Sequence, residues 1–130
     1  MQSDFKPEGY NSVSPYFVCD EPEAFADFLK KVFDGKELRK FTSENNKIVH
    51  AEMKLYDSVI MYSGSNENYP ANKLLVHIYL PDVDQVFKKA IDYGCRKIDE
   101  PVQHTGEADK RGNFEDPWKN LWSIATQMKG

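Results

Sequence analysis

The stretch Lys73-Leu-Leu-Val-His77-Ile-Tyr-Leu-Pro-Asp82-Val-Asp-Gln-Val-Phe-Lys-Lys-Ala-Ile-Asp-Tyr-Gly94 reads as a strand that runs straight into an amphipathic helix. Leu74 to Leu80 is a short, almost wholly apolar run, the pattern of a buried strand. Asp82 is placed to cap a helix, with Gln85 three residues on completing a capping-box pattern. Val83, Val86, Phe87, Ala90 and Ile91 then recur at helical spacing, and Gly94 stands where a left-handed C-terminal residue belongs. His77 lies mid-strand. Its imidazole suits three roles: a hydrogen-bonded wall residue, a ligand-binding or acid–base group, or a metal ligand.

Val13 to Gly35 has the same layout. Val13–Cys19 is expected as a strand, with Pro15 favouring an edge or a bulge because it lacks an N–H. Asp20 and Glu23 repeat the capping pattern, with Pro22 in the first turn. Phe25, Phe28, Leu29, Val32 and Phe33 form the apolar stripe, and Gly35 is expected to end the helix. Phe28 to Gly35 and Phe87 to Gly94 share a Phe, a Lys and the final Gly at a constant offset of 59.

Each helix is followed by three strand-like segments. In the first half these are 36–42, 48–55 and 58–63, and a polar loop from Gly64 to Asn72 joins the halves. In the second they are 95–102, a polar 103–113 stretch expected as a loop or hairpin, and 121–127 after the Asp116-Pro-Trp-Lys-Asn120 turn. Strand-helix-strand-strand-strand therefore occurs twice. A half of this size buries its own face poorly, so the two are expected to share one sheet system. The expected fold is α+β: two tandem βαβββ modules forming curled mixed sheets with a concave cleft, in a single domain. Module one covers about 10–64, a linker 65–72, and module two about 73–128. The concave face is the expected ligand site.

The chain has 130 residues, 40% apolar and 13% aromatic, enough for one core and without a disordered composition. A net charge of -4 with scattered Lys and Arg gives no footprint for nucleic acid. No apolar run approaches a membrane span, and the first residues carry no apolar signal core, so a cytoplasmic protein is expected. Cys19 and Cys95 lack metal or redox spacing and read as reduced structural thiols.

Five ordered segments carry a resemblance: Ser14-Pro-Tyr-Phe-Val-Cys-Asp20, His50-Ala-Glu-Met53, Asp57-Ser-Val-Ile-Met61, His77-Ile-Tyr-Leu-Pro-Asp-Val-Asp84, and Asp116-Pro-Trp-Lys-Asn-Leu-Trp-Ser-Ile-Ala-Thr126. From about residue 10 to 128 the chain resembles the vicinal-oxygen-chelate superfamily of glyoxalase I, bleomycin- and fosfomycin-resistance proteins and extradiol dioxygenases, and within it the PhnB-like branch. The resemblance implies paired βαβββ modules in a homodimer, with a cleft in each curled sheet.

Metal-using relatives place ligands on the first and last strands of each module. Carried over, those positions fall on Val13, at or close to Ile60, on Leu75 and on Ser123, none a good ligand for a divalent ion. No metal or other cofactor is therefore expected, although a displaced site from His50, Glu52 and His77 stays open. The main expectation is a binding protein whose cleft holds a small organic molecule, with His50, Glu52, His77, Tyr79, Ser123, Phe17, Tyr62 and Lys110 as candidate ligand-binding residues. Lys110 belongs to a segment resembling the family's Gly-Asp-Arg loop, with Lys in place of Arg. The alternative is a lyase, isomerase or dioxygenase-like enzyme, metal-dependent or based on His and Glu. A methyltransferase is disfavoured, since no Gly-rich strand-to-helix turn occurs.

Overall fold

A computed structural model describes residues 5–128, so part of the lead-in expected over residues 1–10 lies outside the described residues. The elements follow in the order β1 (Tyr16–Cys19), α1 (Pro22–Phe33), β2 (Lys36–Thr42), β3 (Ile48–Leu55), β4 (Ser58–Gly64), β5 (Leu75–Tyr79), α2 (Val83–Tyr93), β6 (Arg96–Gln103), β7 (Asp109–Glu115) and β8 (Leu121–Gln127). This is βαβββ twice. Each module closes its own four-stranded mixed sheet, ordered β1-β4-β3-β2 and β5-β8-β7-β6. The pairs β1/β4 and β5/β8 are parallel and the other neighbours antiparallel. The chain divides into two compact units between Asn72 and Lys73.

In module one α1 covers one sheet face. Phe25, Phe28, Leu29 and Val32 of the helix are fully buried with Phe17, Met53 and Tyr62 of the sheet. Phe25 meets Phe17 at 4.8 Å and Tyr62 at 5.6 Å between ring centroids. Each such side chain contributes roughly 1.5–3 kcal/mol by leaving water, which makes this stripe the main stabilising feature of the module.

Three local expectations for module one change. β1 begins after Pro15, whose carbonyl accepts from Met61 N at 2.9 Å, so pairing starts where a residue without an N–H can take part. Asp20 does not cap α1. The cap position is Glu21, which makes no side-chain cap bond, while Asp20 accepts from the Ser65 hydroxyl; Pro22 at the helix start already removes one orphan N–H. The left-handed residue after α1 is Asp34, at φ 55, rather than Gly35. Gly35 answers another need, because a Cβ there would lie 2.8 Å from Met53 Cγ.

Module two follows its sequence more closely. Asp82 caps α2 by accepting from Gln85 N at 3.1 Å, and Gly94 ends it at φ 117. β5 is not buried on both faces. Val76 and Ile78 are half-buried, whereas Leu75 is 72% exposed and His77 and Tyr79 are exposed beside it. Of the two options for 103–113, the chain takes the hairpin, with β7 beginning at Asp109. In the Asp-Pro turn Lys119, not Asn120, has the positive φ of 74. The Asn120 side chain is committed elsewhere, donating to Asp116 Oδ2 at 3.0 Å and accepting from Leu74 N at 2.9 Å. Phe114 and Trp122 are buried and stacked, so they are core.

Candidate functional site

The face of the first sheet opposite α1 carries a connected polar chain. Glu52, on β3, points there because Met53 on its one side and Ala51 on the other turn toward the helix. Glu52 is only 4% exposed. Tyr10 donates its hydroxyl to Glu52 Oε1 at 2.5 Å, and His50 Nε2 lies 2.8 Å from Glu52 Oε2. His50 Nδ1 in turn lies 2.9 Å from the Tyr16 hydroxyl. The Phe41 ring flanks His50 at 6.1 Å, and the Arg39 guanidinium sits 5.4 Å over the Tyr10 ring.

Burial pushes the Glu52 carboxyl up, but the hydrogen bonds from Tyr10 and His50, with the charges of His50 and Arg39, outweigh it and leave the group below the usual carboxylate range. Burial, then the hydrogen bond to Glu52 and its charge, push the Tyr10 hydroxyl up. The proton arrangement follows. An anionic carboxylate only accepts, so His50 donates from Nε2 to Glu52, and its Nδ1 shares a second hydrogen bond with the Tyr16 hydroxyl.

Tyr16 also lines a cavity of about 830 Å³ at the end of the sheet where β1 and β4 finish. Val18, Ile48 and Val49 supply apolar wall; Ser65 and Tyr69, from the loop after β4, supply polar groups and a ring. This volume falls within the range that holds drug-sized ligands.

The sequence-derived residues separate as follows. His50 and Glu52 are brought together, as described. Phe17 and Tyr62 are not cleft residues: they are 1% and 0% exposed on the helix side, and Tyr62 pairs with no hydrogen-bond partner for its hydroxyl among the described residues. Their strands do alternate, but the open face takes Tyr16 and Val18 from β1 and Met61 and Ser63 from β4, which are register partners. In module two, His77 Nδ1 lies 3.0 Å from the Ser123 hydroxyl, and the Tyr79 ring stands edge-on to His77 at 4.8 Å. Tyr79 donates to Asp109 at 2.6 Å, and this hydrogen bond and the Asp109 charge push its hydroxyl up. Lys110 is committed to the helix side, bonded to Asp84 of α2 at 2.7 Å, so it does not present an anion clamp. Ser123 lines a 630 Å³ depression with Arg111 and Asn113. Tyr10, Tyr16 and Tyr69 were missed by sequence reasoning. Tyr16 alone had a signal, as the neighbour of Phe17 on an alternating strand.

Residues 11–124 match the model of the Glyoxalase/Bleomycin resistance protein/Dioxygenase superfamily, and the chain belongs to that superfamily. Its fold is similar to that of TioX from Micromonospora sp. ML1, with a TM-score of 0.73 at 16% identity over 92% of this chain and 98% of that one. It is also similar to a PhnB protein from Bacillus cereus, with a TM-score of 0.66 at 18% identity over 89% of this chain and 99% of that one. An uncharacterised protein of Mycobacterium bovis is 25% identical over 129 residues, covering 91% of this chain and 84% of its own length.

The divalent metal used by some relatives does not fit the residues present. Val13 and Leu75 are apolar, Ile60 is buried in the core, and Ser123 is engaged with His77. Among the described residues no three His, Cys, Asp or Glu side chains are grouped to hold an ion. No helix among the described residues is long and apolar enough to cross a membrane.

Proposed function

We propose that this protein binds a small, largely apolar organic molecule in the module-one cavity, and that it belongs to the PhnB-like branch of its superfamily. The observation that carries the binding reading is the 830 Å³ cavity with mixed apolar and polar walls, with Tyr16 at one side. The branch assignment is supported by the five sequence segments and by the likeness to the Bacillus cereus PhnB protein. A ligand suited to this site is planar and conjugated, to lie against Tyr16, Tyr69, Val18 and Val49, with one polar group for the Tyr16 hydroxyl. The test uses 5-nitroindazole as the probe in ligand-detected NMR. Saturable binding, abolished by Val18→Trp in a protein of unchanged circular dichroism, supports the reading. Absence of saturation, or binding indifferent to Val18→Trp, overturns it.

The reading includes a homodimer. Phe41 and Val49 of module one, and Leu75 and Tyr79 of module two, are large apolar side chains left more than half exposed. Light scattering is expected to give twice the 15.0 kDa chain mass, and a monomer at micromolar concentration overturns this part.

A further inference from the structure

We propose that Tyr16, His50 and Glu52 form a proton relay, and that Tyr16 is the catalytic base and acid for a weakly acidic C–H bond of a conjugated carbonyl or heteroaromatic ligand. The inference rests on the reading that a ligand occupies the module-one cavity, and adds a reaction to it. Its ground is geometric. Tyr16 is the member of the chain that lines the cavity. Behind it, at 2.9 Å, is an imidazole nitrogen of His50, and behind that, at 2.8 Å from the other ring nitrogen, a buried carboxylate. A reacting hydroxyl, a base in contact with it, and a third group fixing the base in one tautomer is the general arrangement of an activated side chain.

The step balances without any co-reactant. As the ligand's C–H proton passes to Tyr16 Oη, the Tyr16 proton passes to His50 Nδ1. The electron pair of the broken C–H bond stays on the ligand as a delocalised anion. The imidazolium formed stands between Tyr16 and the Glu52 carboxylate, which stabilises its charge. Reversal returns a proton to a different atom of the ligand, so the net reaction is an isomerisation; where the anion carries a weak bond, the carbanion's pair forms a new π bond, the weak bond's pair departs with the leaving atom, and the proton held on His50 passes to that atom or to water, so the net reaction is an elimination. Nothing is oxidised or reduced.

Tyr10 anchors the other end. Its hydroxyl occupies the second Glu52 oxygen, leaving one carboxylate oxygen for His50 and fixing the ring that Tyr16 depends on. His50, Glu52 and Tyr10 act through Tyr16 and are positioning residues, since the cavity wall includes none of them among its lining side chains.

The full chain is tested with 5-nitrobenzisoxazole, whose C–H is removed as its N–O bond opens to a coloured phenolate, and with 5-nitroindazole as the unreactive isostere for binding. The wild type is expected to accelerate opening over buffer with saturation. Tyr16→Phe is expected to lower kcat about a hundredfold, while the dissociation constant of 5-nitroindazole stays within about threefold, the loss of one neutral hydrogen bond. Glu52→Gln is expected to lower kcat at least tenfold with 5-nitroindazole binding unchanged, a split that a purely structural role for Glu52 does not produce. Binding of 5-nitroindazole without accelerated opening, or acceleration equal in Tyr16→Phe, overturns the relay and leaves the binding reading standing. Failure to bind 5-nitroindazole overturns both.

Discussion

His50 joins Tyr16 to Glu52: its two ring nitrogens lie 2.9 Å from the tyrosine hydroxyl and 2.8 Å from the buried carboxylate. One imidazole thereby connects a cavity wall to a charge held away from water. The charge tolerates burial because Tyr10 and His50 both donate to it.

That arrangement has an acid signature. The Glu52 carboxyl is held below its ordinary range in the folded chain, against about 4.3 when unfolded. Its contribution is complete above the unfolded value and is lost as pH falls through the lower folded value. Glu52→Gln is therefore expected to be less stable than wild type at neutral pH, and the gap is expected to close in acid. Urea unfolding followed by circular dichroism across that range checks it; a gap that widens in acid contradicts it.

The two helix starts are expected to respond differently to the same substitution. Asp82→Ala removes a cap bond to Gln85 N and is expected to cost about 1 kcal/mol. Asp20→Ala leaves the start of α1 intact, because Asp20 bonds Ser65 instead, and is expected to cost less than about 0.5 kcal/mol. Chemical denaturation of the two variants measures the difference.

Asp116 holds the turn before β8. Its carboxylate accepts from the backbone N–H groups of Trp118 and Asn120, from Asn120 Nδ2 and from Trp122 Nε1. Burial pushes the carboxyl up, and these donors partly offset it. Asp116→Ala leaves buried donors unsatisfied and is expected to cost about 3 kcal/mol or more. Thermal unfolding is the check.

Cys95 is buried, and burial, with the nearby Asp116 charge, pushes its thiol up to about 12. The reactive thiolate is scarce at neutral pH. Labelling by a disulfide reagent is expected to be slow at this site in the native protein and rapid in denaturant, as mass spectrometry of the labelled peptides reads.

The module repeat, both helices and the strand order of each half were legible because helical periodicity and strand alternation are local properties. α1 is the clear case: Phe25, Phe28, Leu29 and Val32 announce its buried face, and all are buried. What the sequence left open depended on pairing between strands. Alternation divides β1 into Phe17 and Tyr16 faces without saying which one α1 covers, and it is the Phe17 face that lies under the helix. Likewise β4 pairs Tyr62 with Ala51 and Met61 with Glu52, and only that register puts Tyr62 in the core. His50 and Glu52 were found because they differ in kind from their apolar neighbours. Tyr10 was not, since nothing local relates it to a carboxylate 42 residues away.

Ligands are expected to enter module one against Tyr16. Backbone amide chemical shifts of the full chain, titrated with 5-nitroindazole, test it most directly. Saturable shifts are expected, centred on Tyr16, Val18, Ser65 and Tyr69, with the His50 ring resonances moving in step. Shifts centred instead on His77, Arg111 and Ser123 of module two would contradict it.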